Sequence, residues 1–175
     1  MSWYITARCG MSDEELTRRM KDIIRKDCFF KYLFEKYDIS IDKIDDNLTF
    51  KIAKMHGRYA QSDSKTIFIN AKLFEKGDFF ENKVHFVVHE ITHWLTKQKE
   101  KENYFTDPEE IDAFTHSMMY EILRGIDKKE IFRVFYPIVE AHFENGKNAK
   151  KLFSTLYFKA NYKANRYKAQ KAHQG

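Results

Sequence analysis

Val87-Val88-His89-Glu90-Ile91-Thr92-His93-Trp94-Leu95 places a His-Glu-x-x-His spacing inside an apolar run of helical period. On an α-helix, residues four apart stand one turn above each other, so His89 and His93 leave the same face. Two neutral imidazoles at that spacing can share one tetrahedral metal ion, usually zinc. Glu90 follows His89 by about 100° of helix rotation, within reach of a water held by such an ion, and is the candidate general base. Val84, Val87, Ile91, Trp94 and Leu95 gather on the other side of the wheel, giving a core-facing stripe for a helix expected from about Phe79 to Lys97. His85 precedes His89 by one turn on the metal side. It reads as a further ligand, as a group behind the ligands or as an ordinary histidine, and three ligands in one straight row suit a tetrahedral ion poorly.

Upstream of the motif helix the period changes. Leu48–Met55 alternates large apolar with smaller or polar residues, Gly57–Ala60 reads as a second short strand, and Thr66–Asn70 as a β-branched third one after the turn residues Ser62–Lys65. These strands are expected to form an antiparallel meander. Further back, Ser12 and Glu15 have capping-box spacing at the start of a helix reaching about Tyr37, with a break at Lys26-Asp27. Downstream, Asp107-Pro108 opens a helix that Gly125 ends, with Asp107 as its N-cap. Asp127 and Glu130 start the next helix, kinked at Pro137 and closed by Asn145-Gly146. A last helix runs from about Ala149. The fold class is α+β: mostly helical, with a small antiparallel three-stranded sheet, in a single domain over residues 1–175.

A hydrolytic zinc site needs a third protein ligand and an open position for water. The helix after the motif offers Glu109, Glu110, Asp112 and His116. Ile111, Phe114, Met118 and Ile122 mark its inward stripe; Glu110 stands beside that stripe, while Glu109, Asp112 and His116 point away. Glu110 is therefore the candidate third ligand, and Asp107-x-x-Glu110 equally has the spacing of a capping pair.

His89-Glu90-Ile91-Thr92-His93 followed by Pro108-Glu109-Glu110-Ile111-Asp112-Ala113-Phe114 resembles the small gluzincin-like zinc peptidases, nearest to the ImmA/IrrE type and to phage-encoded proteins with a Pro-x-Glu-Ile-x-Ala signature. The resemblance covers roughly residues 48–124, and it departs from the ImmA/IrrE pattern at Ile111-Asp112. It implies zinc on His89, His93 and Glu110, Glu90 as catalytic base, a protein or peptide substrate, and a place in the host cytoplasm or virion if phage-encoded. SprT-like proteases, which use a later histidine, fit less well: His116 lacks the adjoining His-Gly pair. An oxyanion donor is also required, with Tyr59, Tyr104 and His85 as candidates. In related zincins the substrate lies extended along an edge strand, for which Thr66–Asn70 or the strand beside it is suited.

At 175 residues with 43% apolar and 16% aromatic content, the chain can bury one core, which excludes global disorder. No apolar run nears the roughly 18–20 residues of a membrane span, and the first residues carry no export-signal pattern. Cys9 and Cys28 therefore read as reduced thiols in a cytoplasmic protein. The net charge of +5 is concentrated at one end: from Lys147 onward there are eight Lys/Arg and no acid, against a net −3 upstream. Lys159, Lys163, Arg166 and Lys168, interleaved with Tyr162 and Tyr167 on a helix of about residues 147–172, are candidates for contacting nucleic acid or another polyanion. A non-catalytic binding or virion-associated protein with the same fold is the alternative to an enzyme.

Overall fold

The computed structural model describes residues 10–99, 107–142 and 146–173. Among these the protein is mostly helical, with one three-stranded sheet, and no helix is long and apolar enough to cross a membrane. The chain forms two compact units, Met1–Phe105 and Thr106–Gly175.

In the first unit, α1 spans Asp13–Lys26 and α2 spans Cys28–Lys36. Ser12 caps α1 by accepting from the Glu15 amide at 3.2 Å. Leu16, Met20 and Ile24 are fully buried at a spacing of one turn. Asp27 makes the expected break: its amide donates to Ile23 O at 2.9 Å, and its carboxylate accepts from Phe29 N at 2.8 Å. One residue thus ends α1 and starts α2. Cys28 is a free, exposed thiol; Cys9 lies outside the described residues.

After a short α3 (Lys43–Asn47) come β1 (Thr49–Ala53), β2 (Ala60–Ser62) and β3 (Thr66–Asn70). The sheet order is β1-β3-β2, with β1 parallel and β2 antiparallel to β3. The expected antiparallel meander is therefore wrong in its pairing; β1 and β3 lie where expected, whereas the second strand is Ala60–Ser62 and not Gly57–Ala60, so Ser62, expected in the turn, belongs to the strand. Ile67 and Ile69 make β3 the best strand to bury on both edges, and the segment between β1 and β2 must then cross the end of β3. Asn70 holds that crossing: its Nδ2 donates to Met55 O at 2.8 Å and Arg58 O at 2.6 Å, and its amide donates to Tyr59 O at 2.9 Å. Alternation within a strand carries no information about such a crossing.

The free edge of β1 is closed by α1. Thr17 Oγ1 accepts from Phe50 N at 2.9 Å and donates to Phe50 O at 3.0 Å, and Asp13 accepts from Ile52 N at 3.0 Å. β2 is the remaining edge. Its bonded register, flanked by Asp63 N to Thr66 O and Asn70 N to Tyr59 O, turns the backbone groups of Ala60 and Ser62 away from β3.

The motif helix is shorter than expected. A 3₁₀ turn (Ala71–Phe74) and α4 (Phe79–Asn82) precede α5 (Val84–Lys99), with Lys83 between the helices at φ −125°. Phe79 stacks on Phe74 at 4.3 Å, and both Phe79 and Val84 are buried. A continuous helix would set those two side chains about 140° apart, so the break lets both turn inward. Val84, Val87, Ile91, Trp94 and Leu95 form the expected core face, with Val88 added. Trp94 also donates to Ser64 O at 3.3 Å, tying α5 to the turn between β2 and β3.

In the second unit, α6 spans Asp107–Leu123, α7 Lys128–His142 and α8 Gly146–Ala172. Gly125, at φ +85°, ends α6: Gly125 N donates to Ile122 O and Ile126 N to Glu121 O, a Schellman arrangement. Asp127 caps α7, accepting from Glu130 N at 2.9 Å, and Pro137 lies exposed within that helix. The side chains of Asp107 and Pro108, and residues 143–145, lie outside the described residues, and with them the expected Asp107 cap and the Asn145 stop. α8 buries Ala149, Phe153, Leu156, Ala160 and Ala164 along one stripe and packs on α6 and α7. Three alanines in that stripe, Ala149, Ala160 and Ala164, let helix axes approach closely.

Candidate metal centre

α5 brings its two motif histidines together. Their Nε2 atoms are 3.1 Å apart, with ring centroids at 4.8 Å and planes at 70°. Two nitrogens bound at about 2.0–2.1 Å to one tetrahedral ion stand about 3.3 Å apart, so the pair has the right spacing for a shared metal. His93 and Glu90 are buried, and His89 is partly exposed. Thr92 and Thr96 spend their hydroxyls on Val88 O and Thr92 O, each at 2.9 Å, so neither competes for the metal position. Glu110, in the first turn of α6, is partly buried. His89, His93 and Glu110 form a His/His/Glu group that could hold a metal ion. Two imidazole nitrogens and a carboxylate oxygen are a donor set that zinc accepts, leaving a fourth position for water.

The remaining candidates separate clearly. His85 is buried with its ring 4.3 Å from Phe86 and does not belong to the three-residue group. On the face of α5 opposite the apolar stripe His85, Thr92 and His93 are buried, and His89 is partly exposed. Tyr59 stacks on Phe86 at 4.6 Å, four residues before Glu90, and stays half exposed. Tyr104 lies outside the described residues. His116 was expected to point outward, yet it is fully buried, as are its neighbours Thr115 and Ser117. The packing of α8 against α6 covers a face that α6's own periodicity marks as polar. Asp112 is paired with Lys163 at 3.3 Å.

That pair also corrects the reading of the tail. Lys163 is a structural partner of α6, with 28% of its side chain exposed, whereas Lys159, Arg166 and Lys168 are exposed. Thr66–Asn70, considered as a docking edge, is the central strand and is paired on both sides; among the described residues no further strand pairs with β2, the strand beside it. Two features escaped sequence reasoning. The Tyr59–Phe86 stack joins a loop to a helix across a sequence gap that no local pattern bridges. Phe158 is 71% exposed, and its position outside the Phe153/Ala160/Ala164 stripe was the available signal.

No family model, curated protein or solved structure matches this chain.

Proposed function

We propose that this protein is a zinc-dependent metallopeptidase of the small zincin type, with His89, His93 and Glu110 holding the metal and Glu90 acting as general base. The observation that carries the proposal is the 3.1 Å approach of the two Nε2 atoms on the turn that also bears Glu90. A purely structural zinc site requires no carboxylate next to its ligands, so Glu90 favours hydrolysis over a structural role. Zinc bound there supplies a Lewis-acid centre that makes water acidic enough to attack near neutral pH.

The chain's own groups supply the rest. The Glu90 carboxylate accepts a proton from the attacking water and returns it to the departing amine nitrogen of the cleaved peptide. Burial of Glu90 keeps bulk water from competing for that proton. The outward backbone groups of Ala60 and Ser62 give an extended peptide a strand to pair with, and α5 packs against β2. β1 offers no such edge, because Thr17 and Asp13 occupy it. Tyr59 and His85 remain candidates for steadying the developing oxyanion.

The deciding experiment compares metal content and peptide cleavage in the wild type, His93→Ala and Glu90→Gln. Wild type carries one zinc per chain and cleaves; Glu90→Gln keeps zinc and loses cleavage; His93→Ala loses zinc. Protein prepared with ample zinc that binds none refutes the proposal. Zinc binding without any cleavage sensitive to Glu90 points instead to a non-catalytic binding protein.

A further inference from the structure

From Lys147 onward the chain has eight basic residues and no acid, and α8 sorts these residues by face. One face, Ala149, Phe153, Leu156, Ala160 and Ala164, is buried. The opposite face carries Lys151, Phe158, Lys159, Tyr162 and Arg166, all exposed. Phe158 and Tyr162 are 71% and 57% exposed and stand one turn apart, about 6 Å along the axis. The Arg166 guanidinium lies 5.9 Å from the Tyr162 ring centroid. One exposed aromatic needs no explanation. Two in line, bracketed by three cations on a helix without acids, make a basic surface with rings standing out of it.

We propose that this outer face of α8 binds single-stranded nucleic acid, with unpaired bases stacking on Phe158 and Tyr162 and phosphates meeting Lys151, Lys159 and Arg166. Charge complementarity selects a polyanion, since the helix has no carboxylate of its own to neutralise these cations. A second copy of the chain would set the same positive face against itself. A membrane surface would call for a broad apolar face, and the broad apolar face of α8 is already buried in protein. Unpaired bases use what remains: each has a π-face for the rings, while a duplex keeps its bases stacked on one another.

The test is fluorescence anisotropy of the full-length protein with a labelled oligo(dT), its duplex counterpart, a poly-glutamate peptide and phosphatidylserine vesicles. The single strand is expected to bind tightest at about 50 mM salt, with log K falling against log salt at a slope of about −2 for three phosphate contacts. Phe158→Ala/Tyr162→Ala should weaken binding at least about tenfold and leave that slope in place. Lys151→Gln/Lys159→Gln/Arg166→Gln should flatten it. All five positions are exposed, and circular dichroism checks that α8 stays helical in each variant. The proposal is overturned by no binding to the single strand at low salt, by binding indifferent to loss of the two rings, or by tighter binding of the duplex, the peptide or the vesicles. The readout is binding alone, so it stands or falls separately from the metal site on α5.

Discussion

Glu90 and His93 are neighbours on one turn, and the proposed mechanism gives them separable tasks. Glu90→Gln preserves size and burial while removing the proton acceptor. Cleavage should drop by about 10²–10⁴-fold with zinc content unchanged, measured by peptide hydrolysis alongside metal analysis. His93→Ala should remove both together. Asn70 matters in a different way. Its amide holds two backbone carbonyls of the crossing between β1 and β2, at 2.8 and 2.6 Å, from a buried position. Asn70→Ala leaves both acceptors without that partner, and urea unfolding should show a loss of about 1–3 kcal/mol. Gly125 tests backbone conformation alone. A Cβ there would meet nothing within 4 Å, so the roughly 1 kcal/mol expected for Gly125→Ala is the cost of φ +85° and of nothing else.

At the scale of elements, α1 guards one edge of the sheet. Thr17 both donates to and accepts from Phe50, replacing a neighbouring strand. Thr17→Val keeps the shape of the side chain and strips that bonding. The expected outcome is a loss of about 1–2 kcal/mol in urea unfolding and concentration-dependent self-association by light scattering, because an uncovered β-edge pairs with other chains. Among the described residues no strand pairs with the outer side of β2, and at three residues long it is a weak template for aggregation. α5 connects sheet to motif through the Trp94 indole on Ser64 O, so the helix bearing the histidines is fixed to the hairpin that would align a peptide. Lys163 and Asp112 show how an ion pair between α8 and α6 can remove one cation from a surface that charge counting assigns wholesale to solvent.

For the whole molecule, a metal that binds the folded chain alone must stabilise it by mass action. Free zinc at about a hundred times its dissociation constant should add about 2.7 kcal/mol, visible as a raised midpoint in thermal unfolding that a chelator reverses. Glu90→Gln should keep that increment and His93→Ala should lose it. Local pattern accounts for much of what the fold contains. The Ser12 cap, the Asp27 break, the Gly125 stop, the first and third strands and the same-face placement of His89 and His93 all follow from periods and caps acting over a few residues. Pairing order, edge protection and the burial of His116 depend on contacts between residues far apart in the chain. Strand alternation reports which side is buried and is silent about which strand lies next door. Helical periodicity likewise reports a helix's first partner, and only packing reveals that α8 covers the other face of α6. The amino-acid sequence by itself determined the helix that bears His89, Glu90 and His93, because residues four apart on a helix must share a face. Tertiary structure alone decided that their two nitrogens stand 3.1 Å apart, because rotamers and burial are set by everything packed around them.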